Sequence, residues 1–205
     1  MLHTSFCAPS VPARSGEQPN AGGQGTLVAI LLNAPSTTTG TRSLNAVRRA
    51  SNVLGYERAL VANLFAVSTP SVVQLNDHGR DGWDLARDDL AAALCRADAL
   101  LAGWGVAGLT GDTRRWMCAQ VEWLSERAVS CGISRFWTVG GEPRHPSRWH
   151  QFVSDKYGRT SGGTFDQRIA QVLVEVPIDS ANVAKLLRHS SSGKTRPSLL
   201  MEPSA

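Results

Sequence analysis

The stretch Thr26–Leu32, TLVAILL, carries no charge and no polar alternation, and it breaks at once into NAPSTTTG. A strand with one wet face alternates apolar and polar residues. A continuous apolar run bounded by turn residues reads instead as a strand buried on both faces. Such a strand needs helices above and below it, which restricts the chain to an α/β layout.

The following segments supply the alternation that this layout requires. SLNAVRRASNVLGY predicts a helix, with Leu44, Val47, Ala50 and Leu54 at helical spacing, Ser43 initiating and Gly55 stopping it. ALVANLFAV (59–67) predicts a second strand, and residues 69–83 a polar, turn-rich loop. DLARDDLAAALCRA predicts a helix, DALLAGWG (98–105) a third strand, RRWMCAQVEWLSERAVSCG a helix, and residues 133–139 a fourth strand. Strands and helices alternating at these lengths imply parallel strands joined by right-handed crossovers. The expected architecture is a three-layer α/β/α sandwich around a mainly parallel, four-stranded sheet. Beyond residue 150, KYGRTSGGTF reads as a loop and DQRIAQVLVEVPI as a helix running into a short edge strand. The boundaries read as a disordered leader (1–25), one α/β domain (26–180), and a helix end with a flexible basic tail (181–205).

A chain of 205 residues suits one domain with a substantial core. No apolar stretch approaches the roughly 20 residues of a membrane-spanning helix, and the N-terminus lacks the basic start and apolar centre of a secretion signal. The four cysteines, Cys7, Cys95, Cys118 and Cys131, show no CxxC spacing and read as reduced thiols of a cytoplasmic protein. A formal charge of +4 permits a polyanionic partner without requiring one. No cofactor or metal is expected, and the chain is expected to be monomeric.

Each strand ends in unusual chemistry: Asn33-Ala-Pro-Ser-Thr, Asn63-Leu-Phe65, Trp104-Gly105 and His145-Pro-Ser147. A parallel sheet gathers such ends at one rim, where ligands of open α/β sheets bind. The last motif lies in GGEPRHPSRWH (140–150), whose two prolines stiffen the backbone around Arg144 and His145. Each residue also has a plainer reading. Asn33 suits an Asx turn and Asn63 a buried amide bonded to backbone, while Phe65, Trp104 and Trp149 suit the core. Asp77, His78, Asp81 and Asp84 suit a solvated loop better than a metal site, and Arg114-Arg115-Trp116 suits a solvated helix face.

In this order, LLNAPST, LVANLFAV, LLAGWGVAG and RHPSRWH resemble the four motifs of the uracil-DNA glycosylase superfamily. LLNAPST, NLFA and GEPRHP are also similar to a bacterial and phage family of unknown function, read as a divergent branch. The resemblance covers about residues 26–152. It implies a DNA glycosylase that flips a base from the helix and hydrolyses its N-glycosidic bond. On it, Asn33 positions the water, His145 donates to the departing base, Asn63 reads the base edge, and Phe65 or Trp104 stacks on the base. Ser36, Thr37 and Ser147 would grip phosphates. Arg144 and Arg148 would touch DNA, and Trp149 with Arg148 would stand where the family inserts a wedge. The common water-activating carboxylate is missing, and Ala34 separates Asn33 from the motif Pro35. There is no cluster of four cysteines, which sets aside the iron–sulfur branches. Where uracil-specific members place a bulky aromatic, this chain has Ser36-Thr37-Thr38-Thr39-Gly40, which implies room for a 5-modified pyrimidine and a role in antiphage defence or repair. The rival readings are a hydrolase or transferase of free nucleosides or nucleotides, and a catalytically dead nucleic-acid-binding relative.

Overall fold

The computed structural model describes residues 25–34, 41–69, 72–105, 109–154 and 163–188. The predicted leader, the STTTG segment with Ser36 and Thr37, and the tail beyond Arg188 lie outside them.

Five strands, β1 (Thr26–Asn33), β2 (Arg58–Phe65), β3 (Ala99–Ala102), β4 (Arg135–Val139) and β5 (Leu173–Pro177), form one sheet in the order β2-β1-β3-β4-β5. The β2–β1, β1–β3 and β3–β4 pairs are parallel, and β5 runs antiparallel to β4. The sheet therefore has five strands, not the four expected. The addition is the edge strand suspected after residue 170. Its side chains do not alternate between buried and exposed, so no period of two marked it. Cross-strand contacts hold it instead: Thr138 Oγ1 donates to the Val174 carbonyl at 2.9 Å, and Arg135 meets Glu175 at 2.7 Å.

The helices are α1 (Thr41–Val53), α2 (Asp81–Asp84), α3 (Ala86–Leu94), α4 (Gly111–Ser130), α5 (Trp149–Phe152), α6 (Phe165–Ala170) and α7 (Ser180–Arg188). β1 sends its side chains into two separate cores, as its unbroken apolar run requires. Val28, Ile30 and Leu32 pack with residues of α3, α4 and α7, whereas Leu27 and Ala29 pack with α1, α5 and α6. α1 starts two residues before Ser43, and its buried stripe is Ala46, Val47 and Ala50, with Leu44 turned outward. α7 buries Val183 and Leu186 in the first core, so the packed fold continues past residue 180.

The segment read as a loop before α3 is mostly helical. It forms a 3-10 helix over Val72–His78 and then α2, because Leu75 and Trp83 reach the core. Gln120 of α4 ties this region down. Its amide donates to the Leu64 carbonyl at 3.2 Å and the Trp83 carbonyl at 2.8 Å, and its oxygen accepts from Arg87 Nε at 3.1 Å.

Candidate active site

The chain runs from β1 to β2 on one side and then crosses to β3 on the other, so the strand order reverses between β1 and β3. Neighbouring loops there leave in opposite directions and open a crevice at the carboxyl ends of the strands. Asn33 ends β1 at this point. Its amide nitrogen donates to Thr69 Oγ1 at 2.8 Å and to the Thr69 carbonyl at 3.0 Å. Ser68 Oγ adds a bond to the Ala34 carbonyl at 3.2 Å. With both amide protons engaged, the Asn33 carbonyl oxygen is left as an oriented acceptor.

Asn63 sits beside Leu31 in the β1–β2 register. Alternation along the strands puts Asn33 and Asn63 on the face that carries α1. The Asn63 carbonyl oxygen is buried with no hydrogen-bond partner among the described residues, so the plainer reading of an amide bonded to backbone does not hold for its acceptor. An unmet buried acceptor costs about 1–3 kcal/mol, a cost that a bound donor removes.

The turn after β4 is carried over the end of β3 onto the same face. A Cβ on Gly103 would lie 2.9 Å from Leu31 Cδ2 and 3.5 Å from Pro146 Cδ, which fixes Pro146 beside that row. Gly105 donates its N–H to the Pro143 carbonyl at 2.6 Å. It has φ +80°, and a Cβ there would stand 3.2 Å from His145 Cβ, so glycine lets the turn settle. At the other end, Gly140 (φ +65°) leaves room for the Phe152 ring, which a Cβ would overlap.

Within the turn, His145 Nδ1 lies 3.3 Å from the Ser147 backbone nitrogen and 2.9 Å from Ser147 Oγ. A backbone N–H can only donate, so Nδ1 accepts and the neutral ring carries its proton on Nε2. Burial pushes the imidazole below its ordinary pKa, and the Arg148 charge adds to the shift. His145 is thus a neutral N–H donor.

The other predicted residues divide. Ser147 and Arg148 are exposed, and Arg148 reaches Gln151 at 3.4 Å. Arg144 is half-buried, paired with Glu142 at 2.5 Å and set 4.0 Å over the Phe152 ring, so its guanidinium braces the turn. Phe65 and Trp104 belong to the opposite core. Phe65 lies edge-on to Trp83 and Trp104 edge-on to Phe136, so neither faces the Asn33–His145 row. Trp149 is fully buried, and its indole N–H donates to the Arg144 carbonyl at 2.7 Å. Its ring fills the core against α1 and α6 and does not stand out as a wedge.

A direct consequence is that Trp149→Ala should lower stability by about 3–5 kcal/mol and the melting temperature by roughly 10 °C. Thermal denaturation followed by circular dichroism checks this, and an unchanged melting temperature would contradict the packing described.

Asp77 and His78 end the 3-10 helix, and Asp84 pairs with Arg80 and Arg87. The described residues contain no group of three or more metal-ligating side chains. Thr69 is the residue that sequence reasoning missed. The only visible sign was a hydroxyl before Pro70 just past a strand, which also fits any turn.

The chain is an α/β protein with Asn33 at the switch point of a mostly parallel sheet. Residues 18–147 match the family described as "Protein of unknown function (DUF1643)", and the chain belongs to that family. The matched span holds Asn33 and Asn63 and ends on the His145-Pro-Ser147 turn. No curated protein and no solved structure matches the chain. No helix among the described residues is long and apolar enough to cross a membrane.

Proposed function

We propose that this protein is a monofunctional DNA glycosylase with a three-layer build like that of uracil-DNA glycosylases, and that it removes a flipped, 5-modified pyrimidine. The reading is carried by the locking of two side chains that share one face. Thr69 fixes the Asn33 amide so that its carbonyl points away as an acceptor, and Ser147 fixes His145 so that Nε2–H is the donor.

The chemistry needs those two polarities. As the C1′–N bond breaks, its electron pair leaves with the base, and negative charge builds on the base carbonyl. His145 Nε2–H donates to that oxygen, a stabilisation that grows toward the transition state. The sugar becomes cation-like, so the water needs aiming more than deprotonation, and the Asn33 carbonyl aims it. The water oxygen bonds to C1′ and its proton passes to solvent. The Asn63 amide, with its buried oxygen unmet, pairs with the base edge. Extrusion from the duplex costs a few kcal/mol, least for a base that pairs poorly.

The substrate class follows from the small hydroxyl residues 36–39, in place of a bulky aromatic, after Pro35. The test is to incubate the purified protein with duplexes carrying uracil, thymine or a hydroxylated or enlarged 5-substituent, and to identify released bases by mass spectrometry. Release of a 5-modified base with little uracil is expected. Efficient uracil release with none from 5-modified DNA would overturn the specificity, and no release from any duplex would overturn the activity. A host role in antiphage defence accords with a substrate of the kind found in phage genomes.

A further inference from the structure

We propose that the surface formed by α1, α5 and α6 beside the rim is a docking track for the phosphodiester backbone of duplex DNA, with Arg42, Arg148 and Arg168 as its cationic contacts. The inference rests on the glycosylase reading and adds Arg42 and Arg168, which the strand-end motifs do not contain.

The first observation is charge segregation across the sheet. α1, α5, α6 and the Pro146–Arg148 turn hold five arginines and a single acid, Asp166, whereas α2, α3, α4 and α7 on the opposite face nearly balance, with seven acids against six basic residues. The overall charge of +4 conceals this polarity.

The second observation is that the basic face is built and ordered. The His150 ring stacks on Phe165 at 4.2 Å, and the Arg49 guanidinium lies over the same ring at 4.4 Å. Arg49 Nε bonds Asp166 Oδ1 at 2.6 Å. Arg168 is held by a bond to the Gly163 carbonyl at 2.9 Å. Arg42 precedes Arg49 by seven residues, two helical turns, and so shares its side of α1 about 10 Å nearer the strand-end rim. α1 packs against both α6 and the Pro146–Arg148 turn, which makes the surface continuous with the His145 turn. His150 registers the local field: burial, then the charges of Arg49, Arg168 and Arg42, hold its imidazole below the ordinary range.

Gathering like charges raises the energy of the free protein, and a polyanion laid along them relieves it. Duplex DNA is that polyanion. Each phosphate neutralised by an arginine releases counterions, giving a salt dependence with a slope of about 0.9 per contact.

The test is fluorescence anisotropy of the full chain with a labelled, unmodified duplex over a range of salt, with base release measured in parallel. The double variant Arg42→Gln/Arg168→Gln should bind at least tenfold more weakly at physiological salt and lose about 1.8 from the log–log slope. Arg42→Lys/Arg168→Lys should retain the slope, and Arg96→Gln, exposed at the end of α3, should match wild type. An unchanged slope in the Gln double overturns the track, as does an equal loss in the Lys double, which would mark a packing role. If wild type releases base while the Gln double keeps its slope, the track alone fails. If wild type binds no DNA, the track fails together with the glycosylase reading. Binding with the expected slope loss but no base release supports the track and removes only the catalytic assignment.

Discussion

His145→Ala should lower single-turnover base excision by about 10²–10³-fold while leaving affinity for unmodified duplex within a factor of about two. That loss is what removing one preorganised donor from a developing anion costs. His145→Gln, which retains an N–H donor but not the Ser147-fixed direction, should recover a small part of it. The pH profile gives an independent check. The imidazole is neutral because burial and Arg148 hold its pKa below the ordinary range, so the donor should stay competent on the acid side of about pH 6.5. The stability linkage has the matching sign. The unfolded chain binds the proton more readily than the folded one, so the contribution of His145 is fully present above about pH 6.5 and is lost as pH falls through the depressed folded value. His145→Gln should flatten that part of the stability–pH curve. A pH-independent difference between wild type and variant would show that the ring is not held neutral by its surroundings.

The second large effect is expected at Asn33. Asn33→Ala should slow excision by several tens-fold with binding retained, because the water loses its acceptor while the arginine surface proposed to hold DNA is untouched. Asn33→Asp should not rescue the reaction, although a carboxylate accepts from water more strongly than an amide. The Asn33 nitrogen donates to the Thr69 carbonyl and hydroxyl, and an aspartate would set an oxygen against that carbonyl. Single-turnover assays of both variants on the released-base substrate decide this. An Asp variant as fast as wild type would show that Thr69 does not set the orientation.

What could be read in the sequence was decided by period and by strand ends. β1 was legible because its unbroken apolar run allows one interpretation, burial on both faces. That Asn33, Asn63 and His145 lie at one end of the sheet was legible because parallel strands bring their carboxyl ends together whatever the helices do. β5 was not counted in the sheet because an exposed edge strand held by Arg135–Glu175 and Thr138 has no burial rhythm to detect. The face on which the aromatics pack was not legible for a related reason. Phe65 and Trp104 sit at strand ends, but which face a terminal side chain takes depends on neighbours such as Gly82 and Phe136. Composition likewise hid the arginine face, since a modest total charge says nothing of how two helical layers divide it.

The burial of Trp149 gives adjacent positions in the GGEPRHPSRWH segment separate duties. Arg148 points outward and bonds loosely to Gln151, so its identity can drift with whatever the protein must grip. Trp149 reaches down into the core and back to the Arg144 carbonyl, so a change there is felt at once by the fold and by the turn that holds His145. A lineage adapting this scaffold to a new ligand can therefore explore position 148 at little cost to folding, whereas position 149 binds the set of the His145 turn and the stability of the fold into one inherited choice.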